Sequence, residues 1–160
     1  MFLENKRAFT LIELLVVVLI IGILSAIALP QYQRAVRKSR NIELLMHTRQ
    51  IAESFKRYYM ETGGATPTLD ALDIQIPYDP TKMEISVNSN SAGYYVTVLS
   101  FPADDTRVAL RYWIKCQYPE YVGKMTCTGD GAIGAQGCRD LGGTGEHNYK
   151  FITRMKAYYL

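Results

Sequence analysis

The sequence predicts an α+β protein, a long N-terminal helix whose first half spans a membrane and whose second half packs on a small antiparallel β-sheet head. Three observations point there. Phe9 to Leu29 is a run of 21 residues that is apolar except for small or hydroxyl side chains and one charge, Glu13. Residues 31–62 contain neither Gly nor Pro and carry one amphipathic face. Short β-rich runs separated by turn residues follow from about residue 84. The whole chain of 160 residues holds one modest core, not two. Its 48% hydrophobic and 21% charged content excludes wholesale disorder and collagen-like structure.

The apolar run is the first element. At 1.5 Å per residue it reaches roughly 30 Å, enough to cross a hydrocarbon core. A buried core helix is a poor alternative, because so short a chain hardly surrounds a helix apolar on every side. The run is also longer than a usual signal-peptide core, and no A-x-A site stands before a new start. Glu13 stands out within it. A carboxylate at membrane depth costs on the order of 3 kcal/mol at the bilayer centre and less near an end, so it calls for a partner or for the interface. Its own helix offers no cation on the apolar side. Gly22 and Ala26 have small-xxx-small spacing, which lets helices approach closely. Pro30 removes a backbone donor, so a kink or local melting is expected between Gly22 and Pro30.

The second element continues as a helix through residues 31–62, with Leu44/Leu45, Ile51/Ala52, Phe55 and Tyr58/Tyr59 on one face, and Gly63-Gly64 ends it. This stretch holds the excess positive charge, seven Lys/Arg against three Glu, whereas residues 63–160 hold nine Lys/Arg against ten Asp/Glu. Nucleic acid is thus a poor partner for the head, which has no surplus of cations. Arg34, Arg37, Lys38 and Arg40 form a basic collar that faces lipid headgroups or acidic groups of another copy. Residues 63–82, with Pro67, Pro77 and Pro80, read as a connecting loop. Strands are expected at Glu84–Asn88, Tyr94–Phe101, Val108–Ile114 and Lys150–Met155, with turns at Asn88–Gly93 and Ala103–Thr106. Short turns favour antiparallel pairing, with one sheet face covering the helix. The glycine-rich stretch 129–145 reads as a surface loop or short helix with no phosphate-binding fingerprint.

Functional chemistry is sparse. No Ser/His/Asp or Cys/His constellation is recognisable, His47 has no nearby nucleophile, and the chain does not read as an enzyme. A zinc site from Cys116, Cys127, Cys138 and His147 lacks any C-x-x-C pair, so no metal or other cofactor is expected. Three cysteines in a small, loop-rich region permit one disulfide in an oxidising compartment, and Cys116–Cys127 and Cys127–Cys138 are both open. The charges around the apolar run, Lys6 and Arg7 before it and four cations after it, place the C-terminal side in the cytoplasm by the positive-inside rule. The cysteines point to the opposite orientation.

The stretch KRAFTLIELLVVVLIIGILSAIALPQYQ closely resembles the N-terminus of type IV pilins and of the related pseudopilins of type II secretion. The resemblance covers roughly residues 5–60; beyond about residue 62 it is one of architecture. It implies a leader over residues 1–8, a cut between Ala8 and Phe9, and N-methylation of Phe9. The family usually has Gly before the cut, and Ala8 is the nearest small substitute. It further implies a filament-core helix over residues 9–30, with Glu13, Gly22 and Pro30 in the family's assembly positions. The amphipathic half over 31–62 and a head over 63–160 follow. Cysteine likeness to pilins favours Cys127–Cys138. The implied topology has the leader cytoplasmic and the head outside, first in the bacterial inner membrane and then at the cell surface. The implied partners are further copies of the chain, a prepilin peptidase and methylase, the pilus assembly platform and membrane lipid. Cutting removes Glu4, Lys6 and Arg7 and exposes an amine able to pair with Glu13 of a neighbour, a pair worth more at low dielectric than in water. The implied function is a pilus subunit, with a pseudopilin or a non-polymerising single-span binding domain as alternatives.

Overall fold

The computed structural model describes residues 9–91, 93–100, 106–148 and 156–160. The first helix, α1, runs Leu11–Glu61. The chain divides into two compact units, one ending at Val36 and the other comprising Arg37–Leu160.

In the first unit the apolar side chains from Leu11 to Leu29 are all exposed, between 44% and 81% for the large ones. Helicity is unbroken through Gly22 and Pro30, so the expected local melting does not occur. A proline withdraws a single intrahelical donor, and its fixed φ is itself helical, which leaves the flanking residues free to continue the helix. By length and composition this is a helix able to cross a membrane.

In the second unit α1 buries Asn41, Leu44, Thr48, Ile51, Ala52, Ser54 and Phe55. These residues recur at three- and four-residue steps, as one helix face must. The helix stops at Gly63-Gly64, where φ values of +67° and +110° suit glycine. The Gly64 amide donates to the Tyr59 carbonyl there. The loop that follows contains a 3-10 turn at Leu69–Ala71. Asp73 ties it to α1 by accepting from Arg57 Nη2 and Nε at 2.8 and 3.0 Å and from the Ser54 hydroxyl.

Six strands follow: β1 Met83–Asn90, β2 Gly93–Ser100, β3 Val108–Cys116, β4 Met125–Gly129, β5 Thr144–Asn148 and β6 Lys156–Tyr159. They form one antiparallel sheet in the order β1-β2-β3-β4-β6-β5. A second helix, α2, occupies Gly131–Asp140 between β4 and β5. The register aligns Val98 with Ile85 and Leu110, Leu110 with Cys127, and Cys127 with Tyr158. Val96, Val98, Val108, Leu110, Cys127 and Tyr158 meet Leu44, Ile51 and Phe55 of α1 and Ala135 and Cys138 of α2 in the main core. Strand alternation turns Trp113 to the face opposite Leu110. There it packs with Tyr121 and Ala157, flanked by Tyr95, Cys116, Tyr118 and Tyr159.

The strands expected around residues 84–88, 94–101 and 108–114 are β1, β2 and β3, with β1 and β3 reaching further than expected. Phe101, most of the turn at Ala103–Thr106 and the strand at Lys150–Met155 lie outside the described residues. Three strands, β4, β5 and β6, lie outside the expected runs. In β4 all five residues of Met-Thr-Cys-Thr-Gly are buried, because both faces are covered and the alternation signal vanishes. The stretch 129–145 contains the short helix that is one of its two expected forms, but that helix packs into the core and does not lie free on the surface. It ends β4, forms α2 and begins β5, and Gly134, Ala135, Gly137 and Cys138 are buried. Its glycines permit close approach. A Cβ on Gly129 would lie 2.1 Å from the Gly134 carbonyl carbon, and one on Gly137 would lie 2.8 Å from Asn41 Nδ2.

Candidate functional site

The residue that the apolar run makes conspicuous, Glu13, lies in the first turn of α1. Its Oε2 accepts hydrogen bonds from the Thr10 backbone N–H and the Thr10 hydroxyl, each at 2.7 Å. The Glu13 backbone N–H in turn donates to Thr10 Oγ1 at 3.3 Å. This is a reciprocal capping box, in which a Thr before the helix and a Glu three residues later satisfy two of the donors a helix start leaves over. The pattern T-x-x-E stands in the sequence at Thr10–Glu13, so that signal was available. The apolar context drew attention to a cation from elsewhere, whereas the chain itself supplies two neutral donors. Around this polar pair the surface is apolar: Phe9 is 75% exposed, Leu11 81% and Ile12 68%.

The other residues singled out along the run are placed as follows. Ala8 lies outside the described residues. Gly22 and Pro30 are both inside α1. A Cβ built on Gly22 meets nothing within 4 Å, so the fold of one chain does not require glycine there.

In the head, Cys127 of β4 and Cys138 of α2 form a disulfide with Cα atoms 5.6 Å apart, and Cys116 is a free thiol. This bond removes two of the three thiols from any zinc set. Cys116 is half-buried, and its Sγ accepts from the Tyr118 N–H at 3.4 Å. Both ring nitrogens of His47 are buried and, among the described residues, without a hydrogen-bond partner, with Glu43 Oε1 3.8 Å from Nε2. A groove of about 490 Å³ lies between α1 and the loop before β1. Arg40 and Lys82 on its wall are matched by Glu43 and Asp79, so it presents no single sign of charge. Among the described residues no group of three or more His, Cys, Asp or Glu side chains is placed to hold a metal ion. What the geometry offers is an exposed apolar helix with one oriented carboxylate at its start.

Comparison with known proteins agrees with that picture. Residues 4–29 match the family described as the prokaryotic N-terminal methylation motif. The chain is 36% identical over 91 residues to the prepilin peptidase-dependent protein D of Escherichia coli, covering 57% of this chain and 62% of that one. It is 50% identical over 46 residues to the type IV major fimbrial protein FimA of Dichelobacter nodosus, covering 29% and 30%. With the type IV major pilin protein PilE of Neisseria gonorrhoeae it shares 31% identity over 91 residues, covering 57% and 48%. The chain thus spans less than two thirds of the length of each of these relatives, and no solved structure matches it. Residues 4–29 thus carry the prokaryotic N-terminal methylation motif, and the N-terminal part of the chain is similar to type IV pilins.

Proposed function

We propose that this chain is the structural subunit of a type IV pilus-like surface filament, assembled after leader cleavage between Ala8 and Phe9 and methylation of the Phe9 amine. The observation that carries the reading is the exposed apolar face of α1 from Leu11 to Leu29, interrupted only by the carboxylate of Glu13. So large an apolar surface is stable only in lipid or against other such helices. The precursor uses lipid, single-pass with its head outside the cytoplasm; the filament uses neighbouring copies. The names of the relatives, a major fimbrial protein, a major pilin and a prepilin peptidase-dependent protein, support both the processing and the assembly.

In this mechanism the helices leave the membrane by exchanging lipid contacts for contacts with one another. The Phe9 ammonium of one copy then pairs with Glu13 of the next in a low-dielectric core. Gly22 serves close helix approach, since the single chain has no use for it. Pro30 is the residue at which the helix yields when the filament is stretched. The same design serves a pseudopilin of a type II secretion system, with the secretion machinery in place of the pilus assembly platform.

One observation favours a rival. Glu13 finds hydrogen-bond donors in its own chain, which is what a non-polymerising single-span binding domain needs. Imaging of purified surface appendages, with mass and N-terminal analysis of their subunits, separates the two. Filaments containing this chain with N-methylated Phe9 first support the proposal. An intact Met1 in working appendages, or no appendage containing the chain, overturns it. Glu13→Gln should insert into the membrane and fail to assemble.

A further inference from the structure

We propose that the groove between α1 and the loop before β1 is a binding site for the headgroup of a zwitterionic phospholipid, with the phosphate on Arg40 and the primary ammonium on Glu43. The inference rests on the membrane-anchored reading above and adds a second contact between head and bilayer. The groove, about 490 Å³, falls within the size range of small-ligand sites. Its wall carries two cations, Arg40 and Lys82, and two anions, Glu43 and Asp79. Only one pair is satisfied: Lys82 Nζ lies 3.0 Å from Asp79 Oδ2, and Asp79 also accepts from the Thr81 hydroxyl. Arg40 has no carboxylate partner among the described residues. Glu43 has only the His47 ring at 3.8 Å, beyond hydrogen-bond range. An unpaired guanidinium and an unpaired carboxylate, on neighbouring turns of one helix, thus line the same groove.

That arrangement selects the occupant. A guanidinium holds phosphate oxygens through paired N–H bonds. The Ser100 hydroxyl adds a donor, since its oxygen already accepts from the Val108 N–H at 2.9 Å and its proton is left over. A carboxylate takes the N–H groups of a primary ammonium. A purely anionic headgroup leaves Glu43 unmatched and repelled, and a quaternary one offers it no donor. The groove also has an apolar part, formed by Leu44 and Met83, 2% and 5% exposed, and by Pro77, which suits the glycerol and the first methylenes of an acyl chain. Position along the chain agrees. Arg40 stands eleven residues after Leu29, the end of the apolar run, a tether of about 16 Å as helix and at most about 40 Å extended. So short a tether keeps headgroups at a high effective concentration around the groove. A lipid docked there holds the head against the bilayer until assembly exchanges lipid for neighbouring copies.

The test uses the full mature chain in detergent micelles, with methyl NMR of its methionines. Met83 lines the groove, and Met60, exposed on α1 and outside the groove, is the control. Short-chain phosphatidylethanolamine should shift Met83 saturably and leave Met60 in place. It should bind about tenfold more tightly than phosphatidylglycerol or phosphatidylcholine, the size of one charged hydrogen-bonded contact. Arg40→Gln should weaken that binding about tenfold for the same reason. Glu43→Gln should erase the preference over phosphatidylglycerol, a change in selectivity that damage to the fold does not produce. Glycerophosphoethanolamine, the same headgroup without chains, should bind about tenfold more weakly than the lipid, having no apolar part to bury. Equal binding of the three lipids, equal binding of the free headgroup, or no effect of either substitution overturns the proposal. So do shifts that follow the concentration of the chain in place of lipid, which assign the groove to a second copy. Flotation with phosphatidylethanolamine vesicles keeps the two readings apart. A chain that floats yet shows no Met83 shift loses the groove site and keeps the membrane anchor, whereas one that fails to float loses the anchor and with it this proposal.

Discussion

Asp79, in the turn before β1, shows how a single side chain governs local order. Its carboxylate accepts from the Thr81 hydroxyl at 2.6 Å, from the Thr81 N–H at 2.9 Å and from Lys82 Nζ at 3.0 Å. The Thr81 hydroxyl first, then Lys82, hold its carboxyl at about 2, below the ordinary 3.8. Asp73 is lowered too, by Arg57 first and Ser54 second. A carboxyl depressed by folding contributes stability that is complete above its unfolded value and is lost as pH falls through the folded one. The melting temperature of the head should accordingly drop between about pH 4 and pH 2, and Asp79→Asn should flatten that drop; an unaltered slope would count against the turn. A second residue-scale prediction concerns Gly134. Its Cβ would meet the Arg107 carbonyl oxygen at 2.5 Å and the Gly129 backbone at 3.0 Å. Gly134→Ala should therefore destabilise the head by about 2 kcal/mol, read from the denaturant midpoint.

At the scale of elements, the unit formed by β4 and α2 is the least legible part of the chain. Its disulfide closes a short loop, so Cys138→Ser, or reduction of the parent, should cost about 3 kcal/mol in thermal unfolding. A change below about 0.5 kcal/mol would mean that packing alone holds α2. The second half of α1 was readable because Leu44, Ile51 and Phe55 repeat at helical spacing, and β1, β2 and β3 because they are short runs rich in β-branched and aromatic residues bounded by turn residues. Met-Thr-Cys-Thr-Gly shows neither signal. Thr126 and Thr128 are buried by tertiary contacts, their hydroxyls reaching the Arg111 and Ala109 carbonyls at 3.3 and 3.5 Å. Nor does composition reveal that glycines in 129–145 serve helix-to-strand contact, since a glycine in a turn and one in a packed helix read alike. The site shows the same split. Glu13 stood out as a charge in an apolar run, but its bonding to Thr10 was overlooked because a capping box is a weak signal beside so strong a hydropathy contrast.

At the scale of the molecule, the head has its own core and disulfide, while the large apolar side chains of α1 from Leu11 to Leu29 are all exposed. Substitutions should sort accordingly. Gly22→Ala should leave unfolding of the head unchanged, because a Cβ there touches nothing, and should lower filament yield in cells. Equal yield would show that close approach at Gly22 is not used. By itself the sequence determined the membrane-length helix, the carboxylate in its first turn, the amphipathic half that follows and the α+β class. Each of these is written in neighbouring residues whose hydropathy repeats at a fixed step or does not vary at all. Tertiary structure alone decided that β6 inserts between β4 and β5, that α2 packs into the core, and that helicity persists through Pro30, and it realised the Cys127–Cys138 pairing that the resemblance favoured. Those outcomes depend on which distant segments fit together, and fit is a property of surfaces that no local period encodes.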